Sequence, residues 1–455
     1  MTRPLLLLEL NEVNFESVNF YCRRGELPNL GALIERNHWA TTISERRYEE
    51  LEPWIQWVTA HTGLTLAEHG IFRLGDIVKS DLPQIWERLE DLGLRVGAIS
   101  PMNAKHRLRN PAFFVPDPWT TTEVTAGPLL RRLYTAIVQA VNDNAHSRLT
   151  VGSLFNLAMG LLFYARVSNY PLYGRLLASA RSAPWRKAML LDQLLADVFI
   201  REVKRTEPHF ATLFLNAAAH IQHHYLFSAE CYEGERRNPD WYVPAGVDPV
   251  REVYEIYDRI FGAVRAAFPE ARIMIATGLH QDPHDEVTYY WRLRRHEKFL
   301  RRIGVPFLRV EPRMSRDFLV VCASEEQAKR AQDRLSQATA ADGTPLFEVD
   351  NRGTDLFVML TYPRSIDPGF VVRVGAQEYP EFDKEVAFVA LKNGKHNGLG
   401  YFLDTETQFR NGETTMALKD LPDRIMAALG LQVGSRETES RTAGARSLAR
   451  DYALG

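Results

Sequence analysis

Cysteine is scarce in this chain: Cys22, Cys231 and Cys322 are the only 3 in 455 residues. They lie far apart with no CxxC spacing, which excludes a disulfide framework and a cysteine-based zinc knuckle. A global excess of charge is also lacking. The formal net charge is −2 and the pI about 6.7, so nothing in the balance argues for nucleic acid as a partner. No Gly-rich phosphate loop of the Walker or dinucleotide type is present. The apolar stretch VGSLFNLAMGLLFYA is too short to span a bilayer comfortably. The first residues, MTRPLLLLELNE, begin like a signal peptide, but the apolar run stops at Glu9 and no small-residue cleavage site follows. Leu5–Leu10 therefore reads as a buried first strand, and the expected location is cytoplasmic.

What is present is an alternating α/β pattern. LLLLEL is a continuous apolar run, as a central parallel strand covered on both faces requires. PNLGALIER reads as a helix with Pro28 near its start, ATTIS as a short strand, and WIQWVTAHTG as a helix closing on Gly63. LPQIWERLEDLG has helical apolar spacing and leads into the strand RVGAIS. The helices AMLLDQLLADVFIREVKR and VREVYEIYDRIFGAVRAAF precede the strands FATLFLN and ARIMIAT. Such alternation predicts a three-layer α/β/α sandwich around a mostly parallel sheet. Ligands gather at the carboxyl ends of strands in such sheets, which is where Asn11, Asn216 and Thr277 fall.

Two insertions interrupt the pattern. The expected division is core over 1–126, 187–314 and 363–433, a helical, Arg-rich insertion over 127–186, and a small α+β accessory module over 315–362. A polar, loose tail is expected over 434–455. Between Leu129 and Leu190, Arg131, Arg132, Arg148, Arg166, Arg175, Arg181, Arg186 and Lys187 are opposed only by Asp143. One reading is a helical cap with arginines on its wet face. The other is a basic, apolar lid that makes peripheral membrane contact or meets a lipid-linked anionic substrate. In the second insertion DFLVVCA reads as a strand, and SEEQAKRAQDRLSQA as a helix capped by Ser324. PLFEVDNRGTDLFVMLTY reads as a hairpin turning at Asn351–Gly353.

Five short segments carry a family resemblance: LLLLELNEVNF, EPWIQWVTAHTG, AHIQHHY, ATGLHQ and KHNGLGYF. With GELPNLGALIE and WVTAHTGLTLAEHGIF, their order and spacing resemble the type I phosphodiesterase/nucleotide pyrophosphatase branch of the alkaline phosphatase superfamily. The match covers about residues 4–110, 200–285 and a last segment near 385–430. The resemblance implies an alkaline phosphatase-like fold and a site where two divalent metals clamp a phosphate ester for attack by Thr or Ser. Most of those residues are replaced here. Asn11 stands at the first metal-binding Asp, with Glu9 and Glu12 nearby. Glu52 or Pro53 stands at the nucleophile. The D-x-x-x-H pair becomes Ala219 and His223, and Asp-His-Gly becomes Gly278-Leu279-His280. The final His is His396.

The substitutions leave at most one metal, zinc or manganese, on His223, His396 and a third group: His280, His220, His224 or a carboxylate. His220 and His224 share a helical face and are alternatively substrate-binding, with Glu12 and Trp57. A tryptophan three residues after Trp54 is also a common core position. Glu52, with Glu9 and Asn11, is the expected catalytic set. Three functions follow. The first is a hydrolase or transferase for a small-molecule or lipid-linked phosphate substrate. The second is a non-catalytic pseudoenzyme binding a phosphate ester, sugar nucleotide or partner protein. The third is a glycosyl hydrolase or transferase run by paired carboxylates.

Overall fold

The computed structural model describes residues 3–45, 47–120, 122–142, 150–313, 316–410 and 414–432. The expected tail over 434–455 lies outside them. In chain order the first elements are β1 (Leu5–Leu10), α1 (Phe15–Arg23), α2 (Pro28–Asn37), β2 (Ala40–Ile43), α3 (Pro53–Thr62), α4 (Leu66–His69) and α5 (Ile85–Asp91). Then come β3 (Val96–Ile99), β4 (Phe113–Val115), α6 (Pro128–Asn142), α7 (Val151–Tyr164), α8 (Tyr170–Ser179) and α9 (Arg186–Thr206). β5 (Phe210–Leu215), α10 (Ala217–Tyr225), α11 (Pro249–Ala267) and β6 (Arg272–Ala276) follow.

The six strands, with Leu399–Asp404 and Thr415–Ala417, build an eight-stranded sheet in which β1 is flanked by β5 and β6 in parallel register. β3 and β4 extend the parallel half. On the other side the strand Leu399–Asp404 runs antiparallel to β6 and to β2. The fold is α/β with a mostly parallel sheet. β1 is buried along its whole length, and its period of two decides what each face meets. Leu5 and Leu7 join Trp57, Trp86, Phe210, Phe214 and Phe402 in one apolar cluster. Glu9 and Asn11 follow on the same face, opposite Trp57 and His61, which are one helical turn apart on α3. β1 and α3 therefore meet through two polar pairs above an apolar floor.

The described chain packs as two compact units. The sheet and its helices, including α7 and α8, belong to the first. Among the described residues the second contains His284–Asn393 with residues 139–142 and 150. Its four-stranded sheet contains Arg309–Pro312, Asp317–Val321, Phe347–Asn351 and Asp355–Leu360, all antiparallel. The helix Glu325–Ser336 starts with the Ser324 side chain accepting from Gln327 N–H. Its core gathers Phe299, Phe318, Leu335, Phe347 and Leu356.

α10, which carries the histidine run, is anchored from below. Asp192 of α9 accepts the Ala217 N–H at 2.7 Å and the Tyr257 hydroxyl at 2.7 Å. Burial pushes the Asp192 carboxyl up to about 7, although those hydrogen bonds favour its charge. The folded state thus holds this proton more tightly than the unfolded chain. Its stabilising contribution is full below the ordinary carboxylate pKa and is lost as pH rises to about 7. Asn keeps an oxygen acceptor for both donors but cannot titrate. Asp192→Asn is therefore expected to flatten the fall in unfolding free energy between about pH 4 and about pH 7. Urea unfolding across that range measures it, and an unchanged pH slope would contradict the assignment.

Candidate metal centre

The carboxyl ends of β1, β5 and β6 converge on one place. After β1, Asn11 N–H still bonds to the Leu215 carbonyl at 3.0 Å, and Glu12 N–H to the Thr277 carbonyl at 3.1 Å. Glu12 then adopts φ 59°, a left-handed conformation that costs a non-glycine residue roughly 1–3 kcal/mol. This turn breaks the strand's alternation and aims the Glu12 carboxylate at α10. His396 reaches the same place because Leu399–Asp404 is antiparallel to β6, so its start lies beside the carboxyl ends of the parallel strands.

Three ligating atoms meet there. Glu12 Oε2 lies 3.1 Å from His223 Nε2 and 3.3 Å from His396 Nε2, and the two imidazole nitrogens are 3.1 Å apart. A tetrahedral zinc with bonds of about 2.0–2.1 Å spaces its ligands roughly 3.3 Å apart. The triangle is therefore close to one face of a tetrahedral coordination sphere. Glu12 is buried, with its side chain 2% exposed, whereas the His223 side chain is 26% exposed, so the cluster opens to solvent on one side. Among the described residues this is the one group of three His, Cys, Asp or Glu side chains placed to hold an ion.

The supporting contacts hold the ligands in position. Glu12 Oε2 also accepts from Gln281 Nε2 at 2.5 Å, and Oε1 from Asn11 Nδ2 at 3.0 Å. Gln222 donates to the Glu12 carbonyl at 2.8 Å and accepts from the Tyr254 hydroxyl at 2.6 Å. The other nitrogen of each imidazole faces an oxygen, within hydrogen-bond reach for His223 and beyond it for His396. His223 Nδ1 lies 3.4 Å from the Gly394 carbonyl, and His396 Nδ1 lies 3.8 Å from Glu52 Oε2. Nδ1–H directed at an acceptor leaves the Nε2 lone pair for a metal. A Cβ on Gly394 would fall 2.0 Å from Gln281 Oε1, so a side chain there would displace the Gln281 amide from its place beside Glu12. Burial opposes the Glu12 charge, but His396 and His223, through charge and hydrogen bonds, hold its carboxyl well below the usual range.

The other expected site residues fall around this centre. His280 was expected as a ligand. Its Nδ1 instead meets the Leu399 carbonyl at 2.6 Å and its Nε2 meets Asp282 Oδ1 at 3.2 Å, so both ring nitrogens face other partners. Glu12, expected to touch substrate, takes the third place in the triangle. Trp57 is fully buried and donates to Asn11 Oδ1 at 2.7 Å, so it is a core residue and offers a substrate no surface. Asn11 also donates to Asn216 Oδ1 at 2.8 Å, bridging β1 to the start of α10. Glu9 is fully buried, where it accepts from Thr212 Oγ1 at 2.7 Å and lies 3.2 Å from His61 Nε2. A carboxylate sealed in the core cannot reach a substrate. His220 and His224 pack edge to face, with ring centroids 5.1 Å apart. His61, Gln222 and Gln281 were not singled out as site residues. Only the left-handed turn at Glu12 brings both glutamines to the site, and no sequence pattern announces that turn.

No known family model and no curated protein sequence matches the chain. Among solved structures, phosphonoacetate hydrolase from Sinorhizobium meliloti 1021 in complex with phosphonoacetate aligns with a TM-score of 0.45 and 12% identity. That alignment covers 94% of this chain and 96% of the hydrolase. Human ectonucleotide pyrophosphatase/phosphodiesterase 5 aligns with a TM-score of 0.43 and 10% identity, over 96% of this chain and 97% of its own. Both neighbours are enzymes of the alkaline phosphatase superfamily. Similarity at this level fixes neither substrate nor reaction.

The geometry predicts about one equivalent of zinc or manganese in protein purified without chelator. Elemental analysis should find it lost in His223→Ala and in His396→Ala. Glu52→Gln should keep the site but weaken its affinity roughly tenfold. Metal retained in the double histidine variant would remove the triangle as its site.

Proposed function

We propose that the chain holds a single divalent ion, zinc or manganese, on Glu12, His223 and His396, and acts as a hydrolase or transferase on a phosphate-containing small molecule. The observation that carries this reading is the triangle itself: three donor atoms 3.1–3.3 Å apart, open on one side. One carboxylate and two imidazoles suit a catalytic ion, which needs three protein ligands and an open position. The two-metal arrangement does not fit these residues. Its second set falls on Asn11, Gly278 and Leu279, which offer no carboxylate or imidazole. The phosphate-bearing substrate class follows from the five segments that resemble type I phosphodiesterases. A lipid-linked phosphate is the narrower version.

When bound, such an ion supplies Lewis-acid polarisation of a phosphoryl oxygen. The chain's own residues hold the geometry. Glu12 contributes the one negative charge of the ligand set, fixed by Asn11 and Gln281. Glu52 sits behind His396 and favours the tautomer with the proton on Nδ1. This makes Glu52 a positioning residue ahead of a nucleophile.

A second reading is favoured by the start of α3, where Glu52 and Pro53 stand and no hydroxyl side chain is offered. On that reading the centre binds a phosphate ester without cleaving it. Paired-carboxylate sugar chemistry gains nothing from the structure, because Glu9 is sealed in the core.

A panel of phosphate mono- and diesters decides between these readings. Turnover is expected to fall with chelator, return with zinc or manganese, and be absent in His396→Ala. Bis(p-nitrophenyl) phosphate should be a poor substrate, since the two-metal clamp is missing. Turnover indifferent to chelator would contradict the metal reading. Bound metal without turnover of any ester would select the binding reading.

A further inference from the structure

α7 is built inside out. In a helix on a soluble core, large apolar residues face inward and polar ones outward. Here the inward positions are Ser153, Gly160 and Tyr164. Gly160 lies so close to α6 that a Cβ there would fall 2.4 Å from Leu133 Cδ1. The small side of the helix is therefore the packed side. The outward positions at helical spacing are Val151, Leu154, Phe155, Ala158 and Leu162. Val151 is 84% exposed, and Phe155 and Leu162 are each 63% exposed. Nearly half of the large apolar side chains exposed in the described chain lie between Val151 and Leu177. The surface continues past the bend into the next helical segment, where Val167, Tyr170 and Leu177 are exposed. An apolar patch of this kind is far from what a monomer leaves in water.

We propose that this face docks on the surface of an anionic lipid bilayer. The charge pattern selects that occupant. From residue 144 to residue 191 the chain has no Asp or Glu, while Arg175, Arg181 and Lys187 are exposed along the same segment. Basic side chains around an exposed apolar stripe match anionic headgroups over acyl chains, and each adds to binding near such a surface. Among the described residues no single helix is long and apolar enough to cross a membrane. The 14 residues of α7 reach about 21 Å, and the chain then turns by 118° into the next segment. α7 alone falls short of a hydrocarbon core of about 30 Å, and the proposed placement is along the interface. This inference is independent of the metal centre.

Flotation of the full-length protein with vesicles tests it. The vesicles are phosphatidylcholine alone, or phosphatidylcholine with phosphatidylglycerol. At low salt the bound fraction should be about tenfold or more higher on the anionic vesicles and should fall as salt is added. Phe155→Glu/Leu162→Glu should abolish binding with an unchanged thermal melt, since both side chains point to solvent. Should that variant melt early, Arg175→Gln/Arg181→Gln/Lys187→Gln gives a second arm, expected to remove the preference for anionic vesicles. Equal binding by wild type and both variants would overturn the proposal. So would absence of vesicle binding with a dimer that Phe155→Glu/Leu162→Glu converts to monomer, which would make the face a contact between copies of this chain.

Discussion

A carboxylate buried at the end of a central strand must be met by positive charge, by a metal or by hydrogen-bond donors. The rest of the candidate site depends on how Glu12 meets that requirement. The strand leading to it is buried along its whole length, so that side offers it no solvent. Its partners must come from above, and they do: two imidazoles, a glutamine amide and an asparagine amide converge on the two oxygens. Two imidazole nitrogens 3.1 Å apart beside one carboxylate oxygen are poorly arranged for each other. One proton between them satisfies a single pair. A divalent cation satisfies all three atoms at once, and the supporting contacts at Gly394 and Glu52 turn both rings to receive one.

Much of the scaffold could be read from residue patterns. The mostly apolar run at Leu5–Leu10, the proline-started helices at Pro28 and Pro53, and the Gly63 stop all express local rules with few competitors. His223 and His396 were legible as a pair because the segments around them keep their order along the chain. The third ligand was not. Strand alternation places Glu9 and Asn11 on one face and gives no reason to bring Glu12 to the histidines. A single left-handed residue, with no glycine or asparagine to advertise it, re-aims the side chain. Trp57 shows the opposite difficulty. Its spacing from Trp54 fits a core position and a stacking floor equally well, and only its hydrogen bond to Asn11 and its burial decide for the core.

The same contrast separates the two candidate surfaces. The candidate metal centre is assembled from residues distant in sequence and needs the whole sheet to exist. The apolar face of α7 is local, and its composition alone suggested either a buried cap helix or a membrane-facing lid. Gly160 against Leu133 resolves which side is packed, because the small residues turn inward and leave the large ones outside. A core helix needs its large side chains in the core, and among the described residues nothing covers these.

The most direct test of the central claim is X-ray absorption at the metal edge of zinc-loaded protein. The account predicts two histidine nitrogens and one carboxylate oxygen at about 2.0–2.1 Å, with a further light ligand completing the sphere. Glu12→Gln should change the oxygen shell and leave the imidazole scattering. A coordination shell without histidine, or one unchanged by Glu12→Gln and by His223→Ala, would contradict it.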